Sequence, residues 1–333
     1  MAIDRLNPLR RTVYTKPQKE WGWSVAVYLY LAGMGAGSFI IGIIMDWLGY
    51  FPYPERAVIL WGPILTAIGA PFLILDLGIK RRFWKAWMNP GTSWVARGFL
   101  ILFAFMVVGF VVFLASILPF QWLENLSVLI LVLEIISLIL AFGVAVYTGI
   151  LLQSTRFVSL WNTWFLPLLF LVSALSTGSM GVVLSALGYG ILAYPQEAHP
   201  QVIDIVIHTE QVLISVEVLV LALYLFLKYK AQDQGESSVR LLLAGYLKIV
   251  FWAGIVALGF LFPVILEFLY SSFPDYPALL ILAGIFLLAG GFFLRLGIVY
   301  AGVKELHPLQ NMYELEYIQK VLKKTKSASD LKS

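Results

Sequence analysis

The chain contains no cysteine. It therefore cannot hold an iron–sulfur cluster on its own thiolates, close a disulfide or use a thiol nucleophile. Histidine is almost missing too: the 333 residues contain three, His199, His208 and His307. Only His208 lies within a long apolar run. A haem pair slung between intramembrane histidines is thus excluded, and neither a single haem nor a transition-metal site is expected. Charged residues make up 13% of the chain, about half of the roughly 25% usual in soluble domains. The net charge of +4 is too small to suggest a nucleic-acid partner. Walker A, HExxH and GxSxG patterns are absent. What is abundant is apolar: 60% hydrophobic residues and a mean hydropathy of +0.87. Such a composition excludes a soluble enzyme and calls for a chain that lies mostly in a lipid bilayer.

Eight apolar runs stand out: Trp23–Leu48, Arg56–Leu77, Trp94–Leu118, Leu126–Leu152, Thr163–Leu187, Ile203–Leu227, Leu241–Tyr270 and Ala278–Ala301. Each reaches the roughly 20 residues that carry a helix across the hydrocarbon core. None alternates as a barrel strand would. The expected fold is an all-α integral membrane protein of eight transmembrane helices, with both termini on one side. Two halves are suggested by Val146-Tyr147-Thr148-Gly149 against Val299-Tyr300-Ala301-Gly302, and by the small-residue stretches Gly33–Ser38 and Ala174–Ser179. They divide the chain into a basic arm (1–22), a first four-helix bundle (23–152), a parallel-related second bundle (163–301) and a basic tail (304–333). Gly33 and Gly37 form a GxxxG pair, more often a packing device than a ligand site.

Of the 23 Lys and Arg, 19 fall on the side that carries the termini and one, Arg56, on the other. The positive-inside rule then makes both termini cytoplasmic. The same basic face would suit an acidic partner. Trp21, Trp23, Trp84, Trp87, Trp94, Trp161 and Trp164 gather on it, as an interfacial aromatic belt would.

Ionisable groups inside the runs are costly and hence candidates for function. Toward the basic side lie Asp76, Arg97, Tyr147, Lys248 and Arg295. Toward the other lie Asp46, Glu134, Asp204, His208, Glu210 and Glu267, with Glu217 near the middle. Asp46, Asp204 and Glu267 are close enough to run ends to be solvated, and Arg97 can snorkel. Lys248 and Arg295 are expected a turn or two inside and need a partner, which Asp76 or Glu217 would supply. Glu210 and Glu217 are seven apart and share a helix face. Glu134, His208, Glu210 and Glu217 together read as a proton pathway.

Specific words stand along the chain: Leu75-Asp76-Leu77-Gly78, Arg82-Phe83-Trp84, Asn89-Pro90-Gly91-Thr92-Ser93-Trp94, Tyr147-Thr148-Gly149, Trp161-Asn162, Leu166-Pro167-Leu168, Ser173–Gly178 and Gly290-Gly291-Phe292-Phe293-Leu294-Arg295. The opening Trp21-Gly22-Trp23 before Tyr28–Gly33 fits with them. From about Trp21 to Gly302 the chain resembles the NrfD/PsrC family, membrane subunits of polysulfide-reductase-type complexes. Lys80 stands where the family often has proline.

The resemblance implies a haem-free membrane anchor subunit of a respiratory oxidoreductase that binds no metal itself. It would exchange electrons between the quinone pool (menaquinone or ubiquinone) and a docked ferredoxin-like subunit with several cubane clusters. Through that subunit it would connect to a molybdopterin, hydrogenase or multihaem catalytic subunit. The matching positions imply a quinone site at Tyr147 and Asp76, with Trp23, Arg82 and Trp84 at its mouth. Tyr147 would donate to a quinone carbonyl and Asp76 would trade protons. Arg97, Lys248 and Arg295 are the intramembrane charge partners. Proton translocation is a second expectation. Two other readings stand beside it. One is a secondary transporter, with Lys248 and Glu217 at a midplane site and helices interrupted at Pro63, Pro71 and Pro263. The other is a structural anchor that binds no quinone. The expected location is the cytoplasmic membrane.

Overall fold

A computed structural model describes residues 18, 21–50, 60–75, 91, 93–117, 126–155, 157–192, 200–231 and 234–304. Every regular element among them is helical: α1 (Trp23–Trp47), α2 (Gly62–Leu75), α3 (Trp94–Ile117), α4 (Ser127–Gln153), α5 (Phe165–Leu192), α6 (Pro200–Lys230), α7 (Gln234–Leu243), a π-helical segment (Val250–Leu261) that runs on into α8 (Phe262–Ser272), and α9 (Pro277–Tyr300). In lipid each backbone N–H and C=O must be paired within its own segment, which these uninterrupted apolar runs can do only as helices.

Among the described residues, seven helical stretches are long and apolar enough to cross a membrane. They are α1, α3, α4, α5, α6, the π-segment with α8, and α9. The stretch expected as the second span appears as the 14-residue α2. The rest of that expected run, 56–59 and 76–77, lies outside the described residues. The expected seventh run also starts later. The chain turns at 244–247, α7 stands apart as a short amphipathic helix, and the span begins at Val250. Glu236 and Arg240, one turn apart, form an ion pair on α7 (2.8 Å).

α1 is the central helix, with 18 of its 25 residues buried. It packs along α2, α4, α5 and α9. Around it, α2 meets α3, α3 meets α4, and α4 meets α5; further on, α5 meets α6, and α9 meets the π-segment and α8. Its small residues explain the close approach. A Cβ on Gly37 would overlap the Ala174 backbone of α5, and one on Gly178 would overlap Gly37 and Ser38. The two small-residue stretches read from the sequence as a repeat are thus each other's packing surface. By contrast α3, α4 and α6 turn Phe103, Phe110, Leu129, Ile139 and Leu219 outward, as helices solvated by lipid do.

A proline marks the end of the π-register. Pro263 has no N–H to return to the carbonyl four residues back, and the N–H of Phe262 reaches Ala257, five residues back. Gly259 in this segment faces Gly290 of α9 so closely that a Cβ on Gly290 would overlap its backbone.

Candidate functional site

Tyr147 sits near the end of α4 and is 3% exposed. Its ring occupies the space that a side chain on α3 would need: a Cβ on Gly98 would overlap it. Tyr28 of α1 is fully buried and close enough for the two phenols to interact electrostatically. Neither hydroxyl has a hydrogen-bond partner. Two buried phenols with free donors suit an acceptor such as a carbonyl, since an unmet buried donor is costly. Trp23 is more than half exposed, with its ring edge-on to Phe72 of α2 at 6.1 Å. α2 ends at Leu75, immediately before Asp76. Asp76, Arg82 and Trp84 lie outside the described residues.

The face beside this pair is tied down by side chains. Trp161 Nε1 donates to the Ile298 carbonyl at 2.9 Å, and Tyr224 donates to that of Leu160 at 2.9 Å. Lys228 Nζ donates to the carbonyls of Ser159 and Asn162. Gln18 Nε2 donates to Val299 and Trp21. Trp161, expected in the interfacial belt, is therefore a core residue, 1% exposed, while Trp164 is 81% exposed.

A second polar centre lies between α1, α5, α6 and α9. Arg295 is completely buried. Its Nη1 donates to Ser173 Oγ and to the Gly291 carbonyl. The guanidinium stands 5.5 Å from the Phe170 ring and 5.9 Å from the Tyr30 ring, where the π-faces stabilise it. Gly33 leaves it room: a Cβ there would come within 3.3 Å of Nη2. Glu217 of α6 lies within Coulombic reach of Arg295 and beside Ser173 and Ser176. Arg295 Nε and Nη2 and Ser176 Oγ have no partner. Glu217, Ser176, Thr177, Gly259, Phe260 and Gly290 line a small cavity offering about 10 Å³ to a water's centre, room for about one water. Ser173 accepts from Arg295 and retains its own proton to donate, so it can link the fixed positive charge of Arg295 to Glu217.

Two turns earlier on α6, Glu210 is buried against Glu267 of α8, within hydrogen-bonding range. Glu267, expected to be solvated near a span end, is 0% exposed. The reason is tertiary: α8 turns that face inward onto α6. Gln211 lies beside Glu267. With His208 and Ser215 it also lines an open groove of about 520 Å³ along α6. His208 is exposed, its Nδ1 2.7 Å from the Asp204 carbonyl. Glu134 of α4 is buried and accepts a hydrogen bond from Trp47 Nε1 of α1 at 2.9 Å. Arg97 is exposed at the start of α3, where Nη2 donates to Gly91 O at 2.7 Å and the guanidinium lies over Trp94. Lys248 is exposed and precedes the Val250–Ser272 span, instead of lying one or two turns within it.

Sequence reasoning singles out neither Tyr28 nor Glu267 as a site residue. Tyr28 stands in the Tyr28-Leu29-Tyr30 word; Glu267 carries no signal beyond its charge in an apolar run.

These features define a multi-pass helical membrane protein with polar centres buried between its spans. Residues 13–306 match the family described as "Polysulphide reductase, NrfD". The chain is 32% identical to the C subunit of polysulfide reductase from Wolinella succinogenes, over 85% of this protein and 94% of that one. It is 28% identical to protein NrfD of Escherichia coli, over 85% and 94%, and 30% identical to the NrfD homolog of Haemophilus influenzae, over 86% and 95%. The chain belongs to the NrfD polysulphide reductase family.

Proposed function

We propose that this protein is the haem-free membrane subunit of a respiratory oxidoreductase, exchanging electrons between the quinone pool and a docked multi-cubane iron–sulfur subunit. The observation that carries this reading is the pair of buried, unpartnered phenols of Tyr28 and Tyr147. A quinone head group has two carbonyl acceptors and no net charge, which fits a site with neutral donors and no buried cation among the described residues around it. When bound, the quinone supplies two-electron, two-proton chemistry. The protein's own residues orient the ring through Tyr147 and Tyr28 and exclude water from the site. Asp76, next after α2, takes and returns protons there, while Trp23, Arg82 and Trp84 form the mouth.

With α2 completing a second span, the protein makes eight, arranged as two four-helix bundles with both termini cytoplasmic. The tied-down basic face then meets the iron–sulfur subunit, which leads to the catalytic subunit. Protons move through the second bundle by way of Glu217 and Glu210. Arg295 holds Glu217 through Ser173.

The test is Tyr147→Phe in the intact complex. Quinone-linked turnover should fall about tenfold or more, the worth of one strong hydrogen bond, while turnover with a soluble dye at the catalytic subunit is unchanged. Equal quinone-linked rates in variant and parent would overturn the reading.

A further inference from the structure

Glu210 and Glu267 differ from every other buried carboxyl among the described residues. Glu134 accepts from Trp47, and Glu217 faces Arg295 and two serines. Glu210 and Glu267 face one another, both fully buried. No donor reaches any of their four oxygens in hydrogen-bond geometry. Among the described residues, no Lys or Arg pairs with either. The charged and titratable groups around them offer no relief. On α6, Glu217 adds like charge to Glu210, Asp204 lies nearly two turns earlier, and His208, which is exposed, lies two residues earlier. Tyr270 on α8 faces Asp204. Arg295 on α9 is engaged with Ser173 and Gly291.

Two carboxylates in contact in a water-poor interior cannot both be ionised. Gln211 lies beside Glu267 alone; what can join the two carboxyls to each other is a proton of their own, lying on one carboxyl oxygen and donated to the other. Helical spacing puts this pair about 10 Å along α6 from Glu217, from roughly 1.5 Å of rise per residue. We infer that Glu210 and Glu267 share a proton between α6 and α8 and form the proton-exchange site of the second half of the molecule. A proton arriving at the mono-anionic pair makes it neutral, and release returns the shared state, so a single proton is exchanged without a metal or a cation. Use of the site in turnover rests on the quinone reading; the shared proton does not.

The experiment is infrared spectroscopy of the purified complex in the protonated-carboxyl C=O stretching region, in H2O and D2O, taken as variant-minus-parent differences. The parent should show at neutral pH a component that shifts in D2O. Glu267→Gln, which keeps the shape and a hydrogen-bonding amide, should move that component. Glu210→Gln combined with Glu267→Gln should abolish it. Glu217→Gln and Tyr147→Phe should leave it in place. Absence of the component from the parent, its survival unchanged in the double variant, or its loss with Glu217→Gln would each overturn the inference. Normal quinone turnover in Tyr147→Phe would sink the quinone reading and leave this band untouched.

Discussion

The phenol pair at Tyr147 and the column from Arg295 to Glu267 solve the problem of burying polar groups in opposite ways. Around Tyr147 the buried groups are two neutral phenols, left without partners. Between α5, α6, α8 and α9 they are ionisable: one arginine and three glutamates, all 4% exposed or less. A neutral phenol in an apolar setting forfeits one hydrogen bond, on the order of 1–3 kcal/mol. An uncompensated buried charge forfeits several times that. The first region can therefore stand ready for a visiting acceptor at modest cost. The second must carry its own counter-charges and protons. Orientation of a neutral ring belongs to the first kind of site, and handling of protons to the second.

This contrast can be broken by mutation. Arg295→Leu leaves Glu217 buried without its cation. It should cost about 3–5 kcal/mol, read as a large drop in the thermal midpoint of the detergent-solubilised protein. Adding Glu217→Gln should restore much of that loss. Equal destabilisation by the single and double variants would mean the two residues are not energetically paired.

At the phenol pair the corresponding damage is steric. Gly98→Ala places a methyl on the Tyr147 ring and should cost about 1–3 kcal/mol as overpacking. Its quinone-linked rate should fall with it. Gly188→Ala on α5 meets nothing within 4 Å and serves as the control; its midpoint should not fall.

A smaller effect is expected at the other end of α1. Trp47→Phe removes the donor to Glu134 and should cost about 1–2 kcal/mol, without change in quinone-linked rate. A rate loss there would extend the proton-handling region into the first four helices.

The smallest effect on stability sharpens the comparison most. Tyr28→Phe removes a hydroxyl that bonds to nothing in the protein. Its thermal midpoint should equal or exceed that of the parent, since an unmet buried donor is removed, while quinone-linked turnover falls about tenfold. A stability loss comparable to that of Gly98→Ala would show that Tyr28 already has a partner.

The sequence makes some of this legible and hides the rest for definite reasons. Arg295 stands out because a cation inside an apolar run is rare, and the same rarity exposes Glu217 and Glu210. Glu267 reads as solvated because distance from a span end says nothing about which way a helix face turns. Lys248 reads as deeper than it is because α7 and the π-segment are joined through apolar residues, Leu241 to Leu243 and then Leu247, that look continuous with a span. Gly33–Ser38 and Ala174–Ser179 are alike, and their likeness suggests a repeat. The fold uses it differently: both stretches are small because α1 and α5 press their backbones together there. Trp161 resembles its belt neighbours in sequence, yet its indole closes the core by donating to Ile298.

What the sequence determined by itself is the solvent of this protein and its secondary structure. Long apolar runs without cysteine and nearly without histidine require lipid, helices and a site built from oxygen and nitrogen donors. What only the tertiary structure decided is which polar side chains meet. In a soluble helix the contrast between an apolar and a polar face shows which side turns inward. In lipid both faces are apolar, so that signal vanishes. The meetings of Tyr28 with Tyr147, of Arg295 with Ser173 beside Glu217, and of Glu210 with Glu267 were set by how the helices pack, with small residues letting α1 approach α5 and α9 approach the π-segment.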